Sequence, residues 1–246
     1  MKFKKKFLLV LLCFSLNITP LYADLKVGTV FFKPPFVISV DNGFDIDLTR
    51  SLCQRMHYSC RFIPMDYHKL FTALDNGEID IAIGGIYISR VRLEKYISSL
   101  PYMLSNAQLL VRQKSSFKTP KDLLGKTIGI IQGEQKSKGV FTTYLNLAYD
   151  TKIQVQEFND MEDLISALSN GDIAAAFLHK STANYWVLNG GGQFKLLGKD
   201  IPIGFGVGII ALPKNYPLIQ KINLELQAME KDNSYLKLYK MYFYNE

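Results

Sequence analysis

Two short stretches of the chain repeat each other, and that repetition limits the fold more than any other feature. Ala73-Leu74-Asp75-Asn76-Gly77-Glu78-Ile79 returns, in the same order of residue types, as Ala167-Leu168-Ser169-Asn170-Gly171-Asp172-Ile173. Asn-Gly after an apolar helical turn is a stop signal, because glycine accepts the left-handed geometry that closes a helix. The apolar run that follows each copy reads as a buried strand. Each copy is therefore helix, stop, acid, strand. A chain that builds this unit twice has two similar α/β lobes, and Gly85 and His179 fall at matching places beyond the two strands.

After the first copy the chain runs through Gly84 and Gly85 to Ser89 and Arg92. Ser89 has the chemistry of a helix N-cap, with Arg92 three residues in. Strand end, paired glycines and capped helix make a concave anion site of free backbone N–H groups, a positive helix end and a guanidinium. Arg grips a carboxylate through two parallel hydrogen bonds. The plainer alternative is a tight turn followed by a solvated arginine; the second copy of the pattern favours the site.

The 246 residues, 48% hydrophobic, suffice for one large domain or two small ones. Residues 1–23 read as a signal peptide: a basic start, an apolar core, and Leu21-Tyr22-Ala23 as the cleavage site. Cys13 sits inside that apolar core behind large leucines, which argues against lipidation. No later apolar run approaches the ~20 residues of a membrane-spanning helix. Losing Lys2, Lys4, Lys5 and Lys6 with the signal lowers the net charge from +7 to +3. That is too mild a charge for a nucleic-acid binder, and no basic run remains. Cys53 and Cys60 are the cysteines left after export. An oxidising compartment favours a disulfide closing a short loop over two buried thiols.

The first expected strand, residues 25–29, runs into a stiff aromatic loop, Phe31-Phe32-Lys33-Pro34-Pro35-Phe36, of the kind that walls a ligand site. Phe44, Leu48, Leu52 and Met56, spaced by four, predict an amphipathic helix, with Asp45 and Asp47 in its first turn as helix-start residues. Strands are predicted at 61–65, 107–112, 127–131, 155–158, 173–178 and 203–212. Helices are predicted ending near 76, from 89 to about 98, after Gly133, and at 161–168, 180–188, 216–229 and 235–242. The polar segment 114–121 reads as a crossover between lobes. Gly204, Gly206 and Gly208 either ease a hinge or let backbones approach. Alternating strands and helices predict parallel-rich α/β sheets, with the ligand beyond the strands' carboxyl ends.

Over nearly its whole mature length the chain resembles the periplasmic solute-binding proteins of polar amino-acid ABC transporters (bacterial extracellular solute-binding proteins, family 3). The motifs are Val27-Gly28-Thr29 with Pro35-Phe36, Gly43-Phe44-Asp45-Ile46-Asp47-Leu48, the run from Ala73 to Asp80, Ile88-Ser89 with Arg92, and Gly125-Lys126 with Gly133. Cys53 and Cys60 match a bridge of the branch that binds arginine and other basic amino acids. The resemblance implies an α/β, two-lobed periplasmic-binding-protein fold (type II), its two sheets joined by two crossover strands. It places residues 24–107 plus 208–246 in lobe 1 and 108–207 in lobe 2. It implies a periplasmic monomer that closes on a free amino acid and delivers it to an inner-membrane ABC permease, with no cofactor, no metal and no nucleic acid.

By motif position, the resemblance assigns the ligand's α-carboxylate to Arg92, with Tyr87 backbone and the helix start at Gln135 helping. Tyr67 would stack on the ligand side chain and Gly85 would line the pocket. Several positions depart from the family: Tyr87 for a Ser or Thr, Gln135 for a Thr, Lys33 for an aromatic that Phe32 would replace after a one-residue loop shift. His179 stands where an acid takes the ligand's ammonium group; neutral imidazole supplies no countercharge. Glu134 would suit a cationic ligand and Lys33 an acidic one. Two rivals remain: an arogenate-dehydratase-like enzyme on the same fold, for which His179 and Glu134 are the available acid–base groups, and a ligand-sensing or adhesion module. Neither is the expected reading, because no catalytic constellation is recognisable.

Overall fold

A computed structural model describes residues 23–133 and 139–243. The first half builds β1 (Ala23–Val30), α1 (Phe44–Met56), β2 (Tyr58–Met65), α2 (Lys69–Asp75), β3 (Ile81–Ala82), α3 (Arg90–Leu93), β4 (Ile97–Ser98) and β5 (Asn106–Arg112). It continues through β6 (Thr127–Ile131), α4 (Val140–Ala148), β7 (Gln154–Phe158), α5 (Met161–Asn170), β8 (Ala175–His179) and α6 (Lys180–Asn189). The chain then closes with β9 (Phe194–Pro202), β10 (Ile210–Ala211), α7 (Tyr216–Lys231) and α8 (Ser234–Phe243).

The sequence repeat folds twice in the same way. Gly77 and Gly171 take φ of +70° and +90° and end α2 and α5. The two residues that follow turn back on one carbonyl, Glu78 and Ile79 N–H onto Ala73, and Asp172 and Ile173 N–H onto Ala167. The strands then enter their sheets in equivalent register, Gly28 opposite Ala82 and Gly129 opposite Ala176. Both central strands carry glycine at that place because the neighbouring isoleucine fills it. A Cβ on Gly28 would lie 2.2 Å from Ile79 Cδ1, and one on Gly129 2.5 Å from Ile173 Cδ1.

The two five-stranded sheets have matching orders, β2-β1-β3-β10-β4 and β7-β6-β8-β5-β9. In each, three parallel strands are followed by an antiparallel one that arrives from the other lobe, β10 in the first and β5 in the second. The sheets are parallel-rich as expected, four of the five strands in each pointing one way, and mixed only through the incoming strand that runs against its hosts. Along β8, Ala175 and Phe177 enter one apolar cluster while Ala176 and Leu178 enter another. That alternation is why its sequence is apolar throughout.

The chain passes between sheets at residues 99–105 and 203–209, where Met103 and Val207 bridge, and not at 114–121, which stays beside the second sheet. Ser99 and Ser105 tie the crossing segments, accepting from Ile209 N–H at 3.0 Å and Gly206 N–H at 2.8 Å. Gly204 and Gly206 answer the close-approach reading: a Cβ would meet the Ile88 carbonyl at 2.5 Å or Pro101 at 2.4 Å. The helix expected from 89 to 98 is one turn, because Ile97 and Ser98 pair with β10 instead. The helix expected right after Gly133 begins at Val140. Residues 1–22, with Cys13, and 134–138 lie outside the described residues.

Cys53 and Cys60 are joined, linking α1 to β2 across a sequence separation of 7 residues. Replacing both with serine is expected to cost about 2–3 kcal/mol, the chain-entropy worth of so short a loop. Urea unfolding reads this as a lower midpoint; coincident curves for parent and variant would show that the bridge adds no stability.

Candidate functional site

The site is built on the Gly84-Gly85 peptide at the end of β3. Asp45, in the first turn of α1, is fully buried, and its carboxylate accepts the Gly85 N–H at 2.6 Å. From the other side the Lys33 ammonium donates to the Gly84 and Gly85 carbonyls at 3.1 and 2.9 Å. Lys33 is presented by a tight loop, its backbone exchanging hydrogen bonds with Val37 at 2.7 and 3.0 Å. Its ammonium also lies 4.7 Å above the Tyr67 ring. Burial pushes the Lys33 amine down to about 7, Asp45 pulling it up and Arg92 pushing it further down. Burial raises the Asp45 carboxyl to about 7, against the Gly85 N–H, the Tyr102 hydroxyl and Lys33.

Arg92 follows from the same strand end. Ser89 caps the one-turn helix α3, its hydroxyl accepting Arg92 N–H at 3.3 Å. The guanidinium is buried, lies 4.7 Å over Phe71 and donates to the Tyr87 carbonyl. From the second lobe, His179 ends β8 and caps α6, its Nδ1 accepting Ser181 N–H at 3.1 Å. Its ring packs edge-on against Phe36 at 4.8 Å and near Tyr87 at 5.4 Å. The repeat-derived match of Gly85 with His179 is thus a match of place in the sheet, with the two lobes meeting across it.

Between the lobes lie two small chambers of about 40 Å³ each. Lys33, Tyr67, Tyr87 and Arg92 of the first lobe face Phe141, His179 and Thr182 of the second across the first chamber. Phe32 lines the second chamber, edge-on to Trp186 at 6.3 Å, with Asp66 from the first lobe and Asp160 and Glu162 from the second also lining it. Lys33, Tyr67, Ile131 and Met161 border both. Of the residues the sequence marks, Arg92, Tyr67, Tyr87, Lys33 and His179 are brought together. Gly85 lies one layer back, its N–H and carbonyl engaged by Asp45 and Lys33. Glu134 and Gln135 fall outside the described residues.

Asp45 lies in the first turn of α1 as the sequence predicts, but its contact with the glycine pair carried no signal of its own. A first-turn acid is ordinary helix chemistry, and the clue was its place between Phe44 and Ile46, both fully buried. Thr182 and Phe141 carried no signal. Among the described residues no cluster of His, Cys, Asp and Glu could hold a metal ion, and no helix is long and apolar enough to cross a membrane.

Residues 25–245 match the model of the bacterial extracellular solute-binding proteins, family 3. The chain belongs to that family. Among curated relatives, ABC transporter arginine-binding protein 1 of Escherichia coli K12 is 27% identical over 227 residues, 89% of this chain and 90% of that protein. An arginine third transport system periplasmic binding protein from Legionella pneumophila superposes with a TM-score of 0.83 at 37% identity, covering 90% of this chain and 100% of that one. An ancestral arginine-binding protein, solved with arginine and with glutamine, gives 0.80 at 28% identity, covering 90% and 98%. The relatives are binding proteins, and the two-lobed fold is theirs.

Burial holds the His179 imidazole down to about 3, helped by the Lys33 and Lys180 cations and opposed by the Leu104 carbonyl. An imidazole free in the unfolded chain titrates near 6.5. Between those values the unfolded chain binds a proton that the folded chain does not, so this group removes stability as pH falls through the window. His179→Gln abolishes the titration. Going from neutral pH to about pH 4.5, the parent should lose about 2–3 kcal/mol more than the variant in urea unfolding. Equal losses would show that the folded imidazole charges freely.

Proposed function

We propose that this family member captures a polar amino acid, arginine or another basic one among the candidates, between its lobes and hands it to an ABC permease of the inner membrane. Lobe 1 comprises residues 24–107 plus 208–246 and lobe 2 residues 108–207, with 1–23 removed on export to the periplasm. The observation that carries the reading is Arg92, a buried guanidinium facing a cavity beyond a strand's carboxyl end, with the opposite lobe as the far wall. Such a group, desolvated and aimed across a domain interface, suits a ligand carboxylate.

Tyr67 and Phe32 provide aromatic walls for the ligand's side chain, and Asp66, Asp160 and Glu162 put negative charge at its far end. That agrees with the arginine named for several relatives. A neutral His179 whose Nδ1 is already engaged supports binding rather than proton transfer. The chain works as a monomer, and its closed form is what a permease distinguishes from the open one.

Arg92→Ala should weaken amino-acid binding by about 3 kcal/mol or more, since it removes a charge-assisted pair and leaves a carboxylate unpartnered. Calorimetric titration against the parent measures this, after both proteins have been unfolded, stripped and refolded. Binding equal to the parent's would move the carboxylate site elsewhere.

A further inference from the structure

A carboxylate held by Arg92 puts the α-carbon in the first chamber, and an ammonium on that carbon needs acceptors or a countercharge there. The carbonyls at the strand end on its lobe-1 side are already used. Lys33 takes both carbonyls of the glycine pair, at 3.1 and 2.9 Å, and Arg92 takes that of Tyr87. His179 Nδ1 takes the Ser181 N–H, so the neutral ring carries its hydrogen on Nε2 and offers the chamber no free acceptor. The Thr182 hydroxyl is a buried side-chain group without a hydrogen-bond partner, and it lines the cavity. Among the described lining residues of this chamber there is no carboxylate. Asp45, the acid behind it, is spent on the Gly85 N–H and on Lys33. What faces the first chamber is two basic side chains, an imidazole without a free acceptor and one hydroxyl, a lining that suits an anion better than an ammonium.

The placement of Lys33 is built in rather than incidental. Lys33 is anchored by two carbonyls, the charge of Asp45 and the Tyr67 ring, so moving it aside would leave two buried carbonyls without partners and Asp45 without its countercharge. The second chamber differs. It shares Lys33 and Tyr67 with the first, and its wall carries Asp66, Asp160 and Glu162. Asp66 is bridged to the exposed Lys69 at 2.6 Å and Asp160 caps α5, whereas Glu162 is exposed at the rim. A ligand that spans both chambers meets donors at one end and acids at the other.

We propose that Lys33 stands in for the ligand's α-ammonium group, so that the cleft prefers amino acids whose cation sits at the far end of the chain, ω-amino and ω-guanidino acids, over their α-amino counterparts. The proposal rests on the capture reading above, in which Arg92 holds the carboxylate. It accounts for two departures together: the lysine in the aromatic loop, and the histidine that lacks the countercharge an α-ammonium needs.

The test uses matched pairs that differ only in the α-ammonium: L-arginine with δ-guanidinovalerate, and L-lysine with ε-aminocaproate. The mature chain is stripped by unfolding and refolding, then titrated with each by calorimetry. The analogue lacking the α-ammonium should bind at least about tenfold more tightly in each pair, a difference of about 1.4 kcal/mol. In Lys33→Met, checked for folding by circular dichroism, the order should reverse as the two carbonyls become available. The comparison in the parent stands even if that variant does not fold. An α-amino acid that binds the parent more tightly than its partner, and is lost in Arg92→Ala, overturns the Lys33 proposal and leaves the capture reading standing. A ligand held equally by the parent and Arg92→Ala overturns the capture site itself, and failure of all four compounds to bind overturns both.

Discussion

The cleft depends on a buried acid–base bracket around one glycine pair. Asp45 and Lys33 would each be costly to bury alone, and the shifts of both groups toward about 7 record that cost. Placed on opposite sides of Gly84-Gly85, they satisfy one N–H and two carbonyls that the end of β3 leaves over. The bracket ties α1, the Lys33 loop and β3 into one unit. Arg92 sits seven residues beyond Gly85 on the same run of chain, its amide fixed by Ser89 and its guanidinium by the Tyr87 carbonyl. Positioning of the binding arginine is therefore a consequence of how the strand end is neutralised.

The second dependence is on symmetry. Each lobe makes its own three parallel strands and lends the other one antiparallel strand, so neither sheet is complete without the crossing segments. Those segments are bound to each other by the Met103–Val207 bridge and by the Ser99 and Ser105 hydroxyls. A pair of crossed strands with most bonds between themselves can rotate as a unit, which lets two rigid lobes close on a ligand. The first chamber lies where the strand ends of the two lobes converge, lined by Arg92, Lys33 and Tyr67 on one side and His179 and Thr182 on the other.

Much of this was legible in the residues. The Ala73 and Ala167 stretches announce two equivalent helix–strand units because glycine and asparagine have few other uses after an apolar turn. Ser89 and Arg92 announce an anion site because cap and guanidinium share one face of a helical turn. What was not legible is tertiary. β9 contains Lys195, Lys199 and Asp200 and has no strong apolar alternation; it is a strand because β5 offers it an edge. The turn after Ser89 stops short because β10 claims Ile97 and Ser98. The first crossover was misplaced at 114–121 because polar, proline-bearing segments mark loops of any kind, whereas the crossing segment 99–105 carries no pattern that sets it apart from a surface loop. Asp45 was read as a helix-start acid because no local pattern reports that a lysine from a different loop will be buried beside it.

The most direct measurement is a crystal structure of the refolded mature chain with its tightest-binding amino acid. The account predicts the ligand carboxylate on the Arg92 guanidinium between the lobes, with the Lys33 ammonium still on the Gly84 and Gly85 carbonyls. A ligand carboxylate bound away from Arg92, with Lys33 displaced from the glycine pair, would contradict it.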